Sequence, residues 1–298
     1  MRKARKKILK ITLITLACLF VTYLGISAFG AREAMVVPRL PLTVAAGSLG
    51  VAYEDVSFPT RIDNLALKGW FLPGPASQAV IIVHGGFQNR IDENADTPGL
   101  ARALVQKGYN VLLYDLRGRG ESEGRGQTLS HIDEDIGGAV DYLKSRGFAS
   151  KDICVLGFCS GATMTAIFAS RNEVGAVILD GCFVDDGTMV VRQGQEIHVP
   201  GWATRAFVPG GMVMTRLVYG FHRIDAIDVV PDIKCPVLFV HESLDPFTTA
   251  AETQRMYRLV PNPIKDFLEI PGARHSQGFV VSPQVYIDKI DGFLKTLK

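Results

Sequence analysis

The chain has 298 residues, of which 47% are hydrophobic and 21% charged, which favours one large α/β domain with a sizeable core over several small modules. The formal net charge is +2, but six basic side chains lie among the first ten residues, and without them 26 Lys plus Arg stand against 30 Asp plus Glu. This balance indicates no nucleic-acid-binding surface, so no nucleic-acid partner is expected.

The N-terminus combines a basic segment, 1–10, with an uncharged apolar run, 11–30. About 20 apolar residues can cross a bilayer as a helix, and positive charge before a span orients that end toward the cytoplasm. We therefore predict a single-pass membrane anchor over 11–30, with the rest of the chain on the extracytoplasmic side. A signal peptide cleaved near Ala28-Phe29-Gly30, giving a secreted protein, is the alternative.

The cysteine and histidine pattern does not predict a metal site. Cys18 lies in the apolar run, no Cys-x-x-Cys pair occurs, and the six histidines are scattered. A domain of this size does not need disulfide staples. We expect no metal and no cofactor.

Residues 31–50 are rich in Pro, Gly and Ala and are predicted to be a linker, so that the folded domain covers 51–298. Two strand-like runs open the domain as an antiparallel pair, and short apolar runs then alternate with helical patterns. Strands that are apolar on both faces belong in a parallel sheet covered by helices. The eight predicted strands are 52–58, 65–71, 79–83, 110–115, 153–157, 175–180, 236–241 and 266–270.

Helix-like spacing between these strands predicts helices over 97–107, 131–145, 160–170, 248–259 and 283–297. The result is an α/β fold with an eight-stranded, mostly parallel sheet and helices on both faces. One long departure, 185–228, is predicted as a small cap over the carboxyl edge of the sheet; an ordinary surface insertion is the alternative.

Cys159 is the candidate nucleophile, because it stands at a strand–turn–helix junction with Gly157 and Gly161 two residues to either side. A nucleophile elbow needs small residues at those positions, where strand and helix backbones crowd. Taking Ser160 as the nucleophile would put Phe158 at a crowded position. A buried inert cysteine followed by a helix-capping serine is the structural alternative.

The segment from Gly157 to Gly161 resembles the nucleophile elbow of the α/β-hydrolase superfamily, and its cysteine resembles that of dienelactone hydrolases. His84-Gly85-Gly86 and the segment 115–124 are similar to those of bacterial serine-hydrolase-like members. The resemblance implies an α/β-hydrolase sheet over nearly the whole chain after Val51, and it is a poor guide to substrate. Ser122 also lies in a G-x-S-x-G match, but the polar loop 125–128 follows it where an elbow needs a helix.

The base and acid follow from chain order in this fold, which is nucleophile, acid, histidine. His275 lies in a loop after the last predicted strand and is the expected base. Asp245 follows the strand 236–241 and is the expected acid. Glu242 is too close to the strand end, and Asp180 and Asp185 are weaker alternatives.

Two backbone N–H groups should form the oxyanion hole, and we assign them to Gly86 and Ser160. His84 is expected to support that loop. Phe87 and Trp202 are candidates for lining an acyl pocket, although apolar aromatic residues are more often core.

These residues predict a hydrolase of carboxylic ester, lactone or thioester bonds, acting through an acyl-enzyme on a small-molecule substrate. Two alternatives remain: a peptidase or amidase on the same scaffold, and a catalytically weak hydrolase fold serving as an envelope scaffold. An extracytoplasmic thiol is exposed to oxidation, which gives the scaffold alternative some weight.

Overall fold

The computed structural model describes residues 2–126 and 130–297 of the chain. The loop predicted over 125–128 therefore lies partly outside the described residues. The first element, helix α1 (Arg2–Met35), is long and apolar enough to cross a membrane. Its first half stands away from the rest of the chain, with side chains such as Leu13 and Phe20 exposed.

The predicted eight-stranded, mostly parallel sheet is confirmed. Its spatial order is β1-β2-β4-β3-β5-β6-β7-β8. The first two strands pair with each other antiparallel and β2 pairs antiparallel with β4, whereas the remaining neighbours are parallel. The strands are β1 (Glu54–Pro59), β2 (Ala66–Leu72), β3 (Ala79–Val83), β4 (Asn110–Tyr114), β5 (Ile153–Phe158), β6 (Ala176–Asp180), β7 (Val237–Glu242) and β8 (Lys265–Ile270).

The central strands are buried on both faces, as their continuous apolar runs require. On β3, Ile81 belongs to one hydrophobic core, and its neighbours Val80 and Ile82 belong to a second core on the other face. The helices that cover the two faces are α2 (Thr97–Gln106), α3 (Ile132–Ser145), α4 (Ser160–Ala169), α8 (Ala250–Leu259) and α10 (Pro283–Lys295).

Between β6 and β7 lie three helices, α5 (Asp186–Glu196), α6 (Gly201–Tyr219) and α7 (Ala226–Val229); a short helix α9 (Gly278–Val281) precedes α10. These three helices fill the segment 185–228 that was predicted as a cap. Helix α6 packs against the second half of α1, where Tyr23 stacks on Phe207 with ring centroids 5.3 Å apart.

The segment 31–50, predicted as a linker, lies against the domain. Met35 and Val37 are buried, and a 3-10 helix, Ala46–Leu49, contributes Leu49 to the core. The guanidinium of Arg39 donates hydrogen bonds to three backbone carbonyls of the loop 120–124. These contacts attach the end of α1 and the segment that follows it to the domain.

Candidate active site

Cys159 occupies a strained turn between β5 and α4. Its backbone angles, φ 57° and ψ −127°, lie in a region that residues other than glycine rarely adopt. Gly157 and Gly161 make the turn possible. A Cβ on Gly157 would lie 2.6 Å from the Gly161 carbonyl oxygen, and one on Gly161 would lie 2.6 Å from that of His84. The backbone crowding inferred from the glycine spacing is therefore present on both sides of the cysteine.

His275 and Asp245 come together at the same edge of the sheet. The Asp245 Oδ2 accepts a hydrogen bond from the His275 Nδ1 at 2.8 Å, and the Asp245 side chain is fully buried. Its other oxygen, Oδ1, accepts from the backbone N–H groups of Phe247 at 2.7 Å and Thr248 at 3.2 Å. The carboxylate is thus held by three donors in one orientation, which leaves the His275 Nε2 as the nitrogen that faces away from Asp245.

The imidazole of His275 is held by aromatic rings and by close backbone. Phe183 stacks on it with centroids 5.3 Å apart, and Phe247 meets it edge-on at 4.9 Å. A Cβ on Gly181, where φ is +60°, would lie 2.7 Å from the His275 Cε1. The ring is therefore fixed in position on three sides.

Electrostatic coupling connects His275 to Cys159. Burial alone lowers the pKa of His275, but the nearby Cys159, the hydrogen bond to Asp245 and the Asp245 charge together raise it well above its ordinary value. The His275 Nε2 has no partner at hydrogen-bonding distance and angle among the residues that the structure describes. The thiol and the imidazole are therefore close enough to interact electrostatically, and a poorly aligned contact between them is compatible with a catalytic role.

The two assigned oxyanion donors are adjacent, but one of them is engaged. The Gly86 N–H donates to the Ser160 Oγ at 2.7 Å, so it is unavailable to an oxyanion until that side chain moves. The Ser160 N–H, at the first turn of α4, and the Phe87 N–H have no acceptor among the described residues. Sequence reasoning did not include the Phe87 backbone, because only the folded loop reveals that the preceding amide is occupied.

The loop 84–87 is held in place by hydrogen bonds that involve His84 and Arg119. The Nδ1 of His84 lies 2.7 Å from the Gly85 carbonyl oxygen, and its Nε2 accepts from the Leu116 N–H at 3.1 Å, which together require the Nδ1-protonated neutral ring. Burial lowers the pKa of His84 to about 3. Arg119 donates through Nε and Nη2 to the Gly86 carbonyl at 3.0 and 2.8 Å. These contacts position the loop without using His84 in the chemistry.

The two predicted pocket residues occupy different environments. Phe87 is 43% exposed on the loop next to the elbow. Trp202 is 75% exposed at the start of α6, and a side chain with three quarters of its surface uncovered does not line an enclosed acyl pocket. The structure therefore does not bring Trp202 into a closed site.

The weaker alternatives have other partners. Asp185 caps α5 by accepting from the Thr188 N–H at 2.8 Å. Ser122, the serine of the second G-x-S-x-G match, is fully buried and donates to the Asp115 carbonyl at 2.6 Å.

Two buried carboxyl groups, those of Asp180 and Glu242, lie near His275 and act on each other electrostatically, an interaction that the sequence does not predict. Asp180 and Glu242 end the neighbouring strands β6 and β7, and Tyr286 donates to the Asp180 Oδ2 at 2.7 Å. Burial raises the pKa of both carboxyl groups, most strongly that of Glu242, where the Asp180 charge adds to the effect. Repulsion between two buried carboxylates favours protonation of one of them. Asp180, weighed above as an alternative acid, thus has Tyr286 as its hydrogen-bond partner, and the charge of Asp180 acts on Glu242.

Among the described residues no group of three His, Cys, Asp or Glu side chains could hold a metal ion. The remaining cysteines of the domain are free, and burial raises the pKa of the Cys182 and Cys235 thiols to about 12. Burial likewise raises that of Cys154. Cys159, by contrast, is partly exposed.

Comparison with known proteins gives consistent likenesses. A family model described as serine aminopeptidase, S33, matches residues 74–217, just under half of the chain. The Escherichia coli protein YfhR is 26% identical over 233 residues, covering 76% of this chain and 74% of that protein. The polyketide transferase af380 of Aspergillus fumigatus is 24% identical over 266 residues, covering 74% and 90%.

Among solved structures, the Pyrococcus furiosus esterase Pf2001 is 26% identical, with a TM-score of 0.75, and the match covers 88% of this chain and 98% of that one. Sheet order, elbow turn and these likenesses agree with one another. The chain is a hydrolase of the α/β-hydrolase fold.

Proposed function

We propose that the chain hydrolyses carboxylic ester, lactone or thioester bonds of small acyl substrates, with Cys159 as nucleophile, His275 as base and Asp245 as orienting acid. The observation that carries this proposal is the 2.8 Å contact between Asp245 and His275, beside a cysteine on a strained strand-to-helix turn. A serine in that position is the commoner arrangement, and a cysteine is one of its known variants.

In the proposed reaction, the His275 Nε2 accepts the Cys159 thiol proton, and the sulfur attacks the substrate carbonyl carbon. Backbone N–H groups at Ser160 and the loop 84–87 stabilise the oxyanion. The imidazolium then gives its proton to the leaving alcohol or thiol as the carbon–oxygen or carbon–sulfur bond breaks. Water, deprotonated by the same histidine, attacks the thioester, and the acid leaves as the thiol recovers the proton.

Esters are favoured over amides because the thiolate is itself a good leaving group. An amide nitrogen leaves poorly, so a tetrahedral intermediate on Cys159 would more often expel the sulfur and return to substrate. An amidase is the second candidate, since the family model that matches the chain is described as an aminopeptidase.

We further propose that α1 holds the domain at a membrane as a single-pass anchor, with a cytoplasmic N-terminus. Its support is the length of apolar helix in α1 and the basic residues before it. A cleaved signal sequence would leave a soluble protein. Intact mass and resistance to alkaline extraction from membranes distinguish the two.

The test uses the full chain in detergent with short aryl esters, aryl thioesters and aminoacyl anilides, as wild type and as Cys159→Ala and Cys159→Ser. We expect ester and thioester turnover in the wild type, its loss in Cys159→Ala, and covalent capture of one acyl group on the peptide that contains Cys159. Equal turnover in wild type and Cys159→Ala would refute the thiol mechanism. Turnover in neither would favour the scaffold alternative, and faster anilide turnover would favour the amidase.

A further inference from the structure

The outer face of α6 carries an apolar stripe. Trp202, Ala206, Pro209, Val213 and Leu217 recur at intervals of three or four residues, which places them on one side of a helix, and all five are exposed. Trp202 and Leu217 are 75% and 73% exposed. A stripe of this kind on a soluble surface is unusual and indicates an interaction surface.

Arginines border the stripe on one side. Arg205 and Arg216 are exposed, and at 100° per residue both fall on the same flank of the apolar residues. A helix with an apolar face and basic residues at its border is typical of elements that lie in the headgroup region of a bilayer, where arginine reaches phosphate.

The inner face of α6 packs against the helix proposed to cross the membrane. The Gly210 N–H donates to the Tyr23 hydroxyl at 3.0 Å, and a Cβ on Gly210 would lie 2.2 Å from the Ser27 Oγ. Close approach through glycine is a common way for helices to pack in membranes. The exposed stripe of α6 and the exposed apolar surface of α1 therefore belong to two helices that pack against each other.

The length of α1 places this contact at the depth of the bilayer. Only 12 residues, Ile11 to Thr22, separate Lys10, the last residue of the basic segment, from Tyr23. At 1.5 Å per residue they span about 18 Å. The hydrocarbon core is about 30 Å thick, so α1 must use residues beyond Tyr23 to cross it. Tyr23 and Ser27 then lie within the outer leaflet, and α6 lies beside them.

We infer that the apolar face of α6 inserts into the outer leaflet, so that the cap rests in the bilayer rather than being only tethered above it. The inference rests on the proposed anchor. The occupant of the face is the lipid bilayer, and a second copy of the chain is the competing occupant that the experiment separates.

The chain offers a convenient probe, because it has two tryptophans and Trp70 is buried. Full-length protein is placed in nanodiscs of phosphatidylcholine with a minor share of phosphatidylglycerol, with and without acyl chains brominated near the glycerol end. The Trp202 signal is the difference between wild type and Trp202→Phe. The matched control is Val285→Trp in the Trp202→Phe background, since Val285 is 56% exposed on α10 and outside the cap.

We expect the Trp202 emission to be blue-shifted and to lose most of its intensity to brominated lipid, while the Val285→Trp emission stays red and unquenched. Co-migration of the intact chain with the nanodisc reports separately on the anchor. Co-migration with a red-shifted, unquenched Trp202 would overturn the insertion and leave the anchor standing. A blue-shifted Trp202 that brominated lipid does not quench would assign the face to a second copy and also overturn it.

Discussion

Replacing Asp245 by asparagine tests the orientation of His275 more sharply than removing the side chain. The Asp245 Oδ1 is fixed by the N–H groups of Phe247 and Thr248, so an asparagine keeps its carbonyl oxygen there. Its NH₂ group then replaces the Oδ2 that lies 2.8 Å from the His275 Nδ1. Two donors cannot face each other, so Nδ1 must become the acceptor and the proton must move to Nε2. The nitrogen that should receive the thiol proton would already carry one.

The loss should be about 10⁴-fold in kcat near neutral pH, which corresponds to about 5 kcal/mol in the barrier. A thiol, unlike a serine hydroxyl, ionises in mildly alkaline solution without a base. We therefore expect kcat/KM of the Asp245→Asn variant for an aryl ester to rise steadily between about pH 6 and about pH 9, narrowing the gap to wild type.

Asp185→Asn is the matched control, since Asp185 also accepts a backbone N–H, that of Thr188, but caps α5. Its kcat should stay within a few-fold of wild type. If Asp245→Asn kept most of the wild-type kcat with an unchanged pH profile, the tautomer reasoning would be refuted. If Asp185→Asn lost as much, the effect would be structural.

Three further outcomes are expected. Gly161→Ala puts a Cβ 2.6 Å and 2.7 Å from two backbone oxygens, so unfolding in urea should show a loss of about 1–3 kcal/mol, and turnover should fall about 10²-fold. Gly292→Ala meets no described atom within 4 Å and should stabilise α10 by about 0.5–1 kcal/mol in the same assay. Burial lowers the pKa of His84 to about 3, so His84 binds a proton more readily in the unfolded chain than in the folded one. The free energy of unfolding should therefore fall by up to about 5 kcal/mol as pH drops from about 6.5 to about 3. The His84→Gln variant should lack this part of the pH dependence.

The sequence predicts strand positions well where apolar runs are short and bounded by turns. Strand β3 lies over the residues predicted, and β4 and β5 differ from the prediction by one residue at one end. Chain order and the glycine spacing also select Cys159, Asp245 and His275 as the candidate catalytic residues. Each of these signals is local in sequence or follows from strand order.

Other features of the site depend on distances that no local pattern contains. The hydrogen bond from Tyr286 to Asp180 joins residues 106 positions apart, and the electrostatic interaction of Asp180 with Glu242 depends on where β6 and β7 end in space. The engagement of the Gly86 N–H by Ser160 similarly depends on how the loop meets α4. The sequence makes Trp202 only a candidate pocket residue, because only the packing of α6 reveals which face of that helix is outermost.

Helix α5, in the segment 185–228, makes hydrogen bonds to residues beside the candidate site. Arg192 of α5 donates at 2.7 Å both to the Phe247 carbonyl oxygen and to Glu252 at the start of α8. The ring of Phe247 meets His275 edge-on, and its N–H holds Asp245. Since α5 packs on α6, a displacement of α6 would be transmitted through α5 to Phe247, which contacts both His275 and Asp245. A cap resting in the bilayer would therefore bear directly on the loop that orients His275.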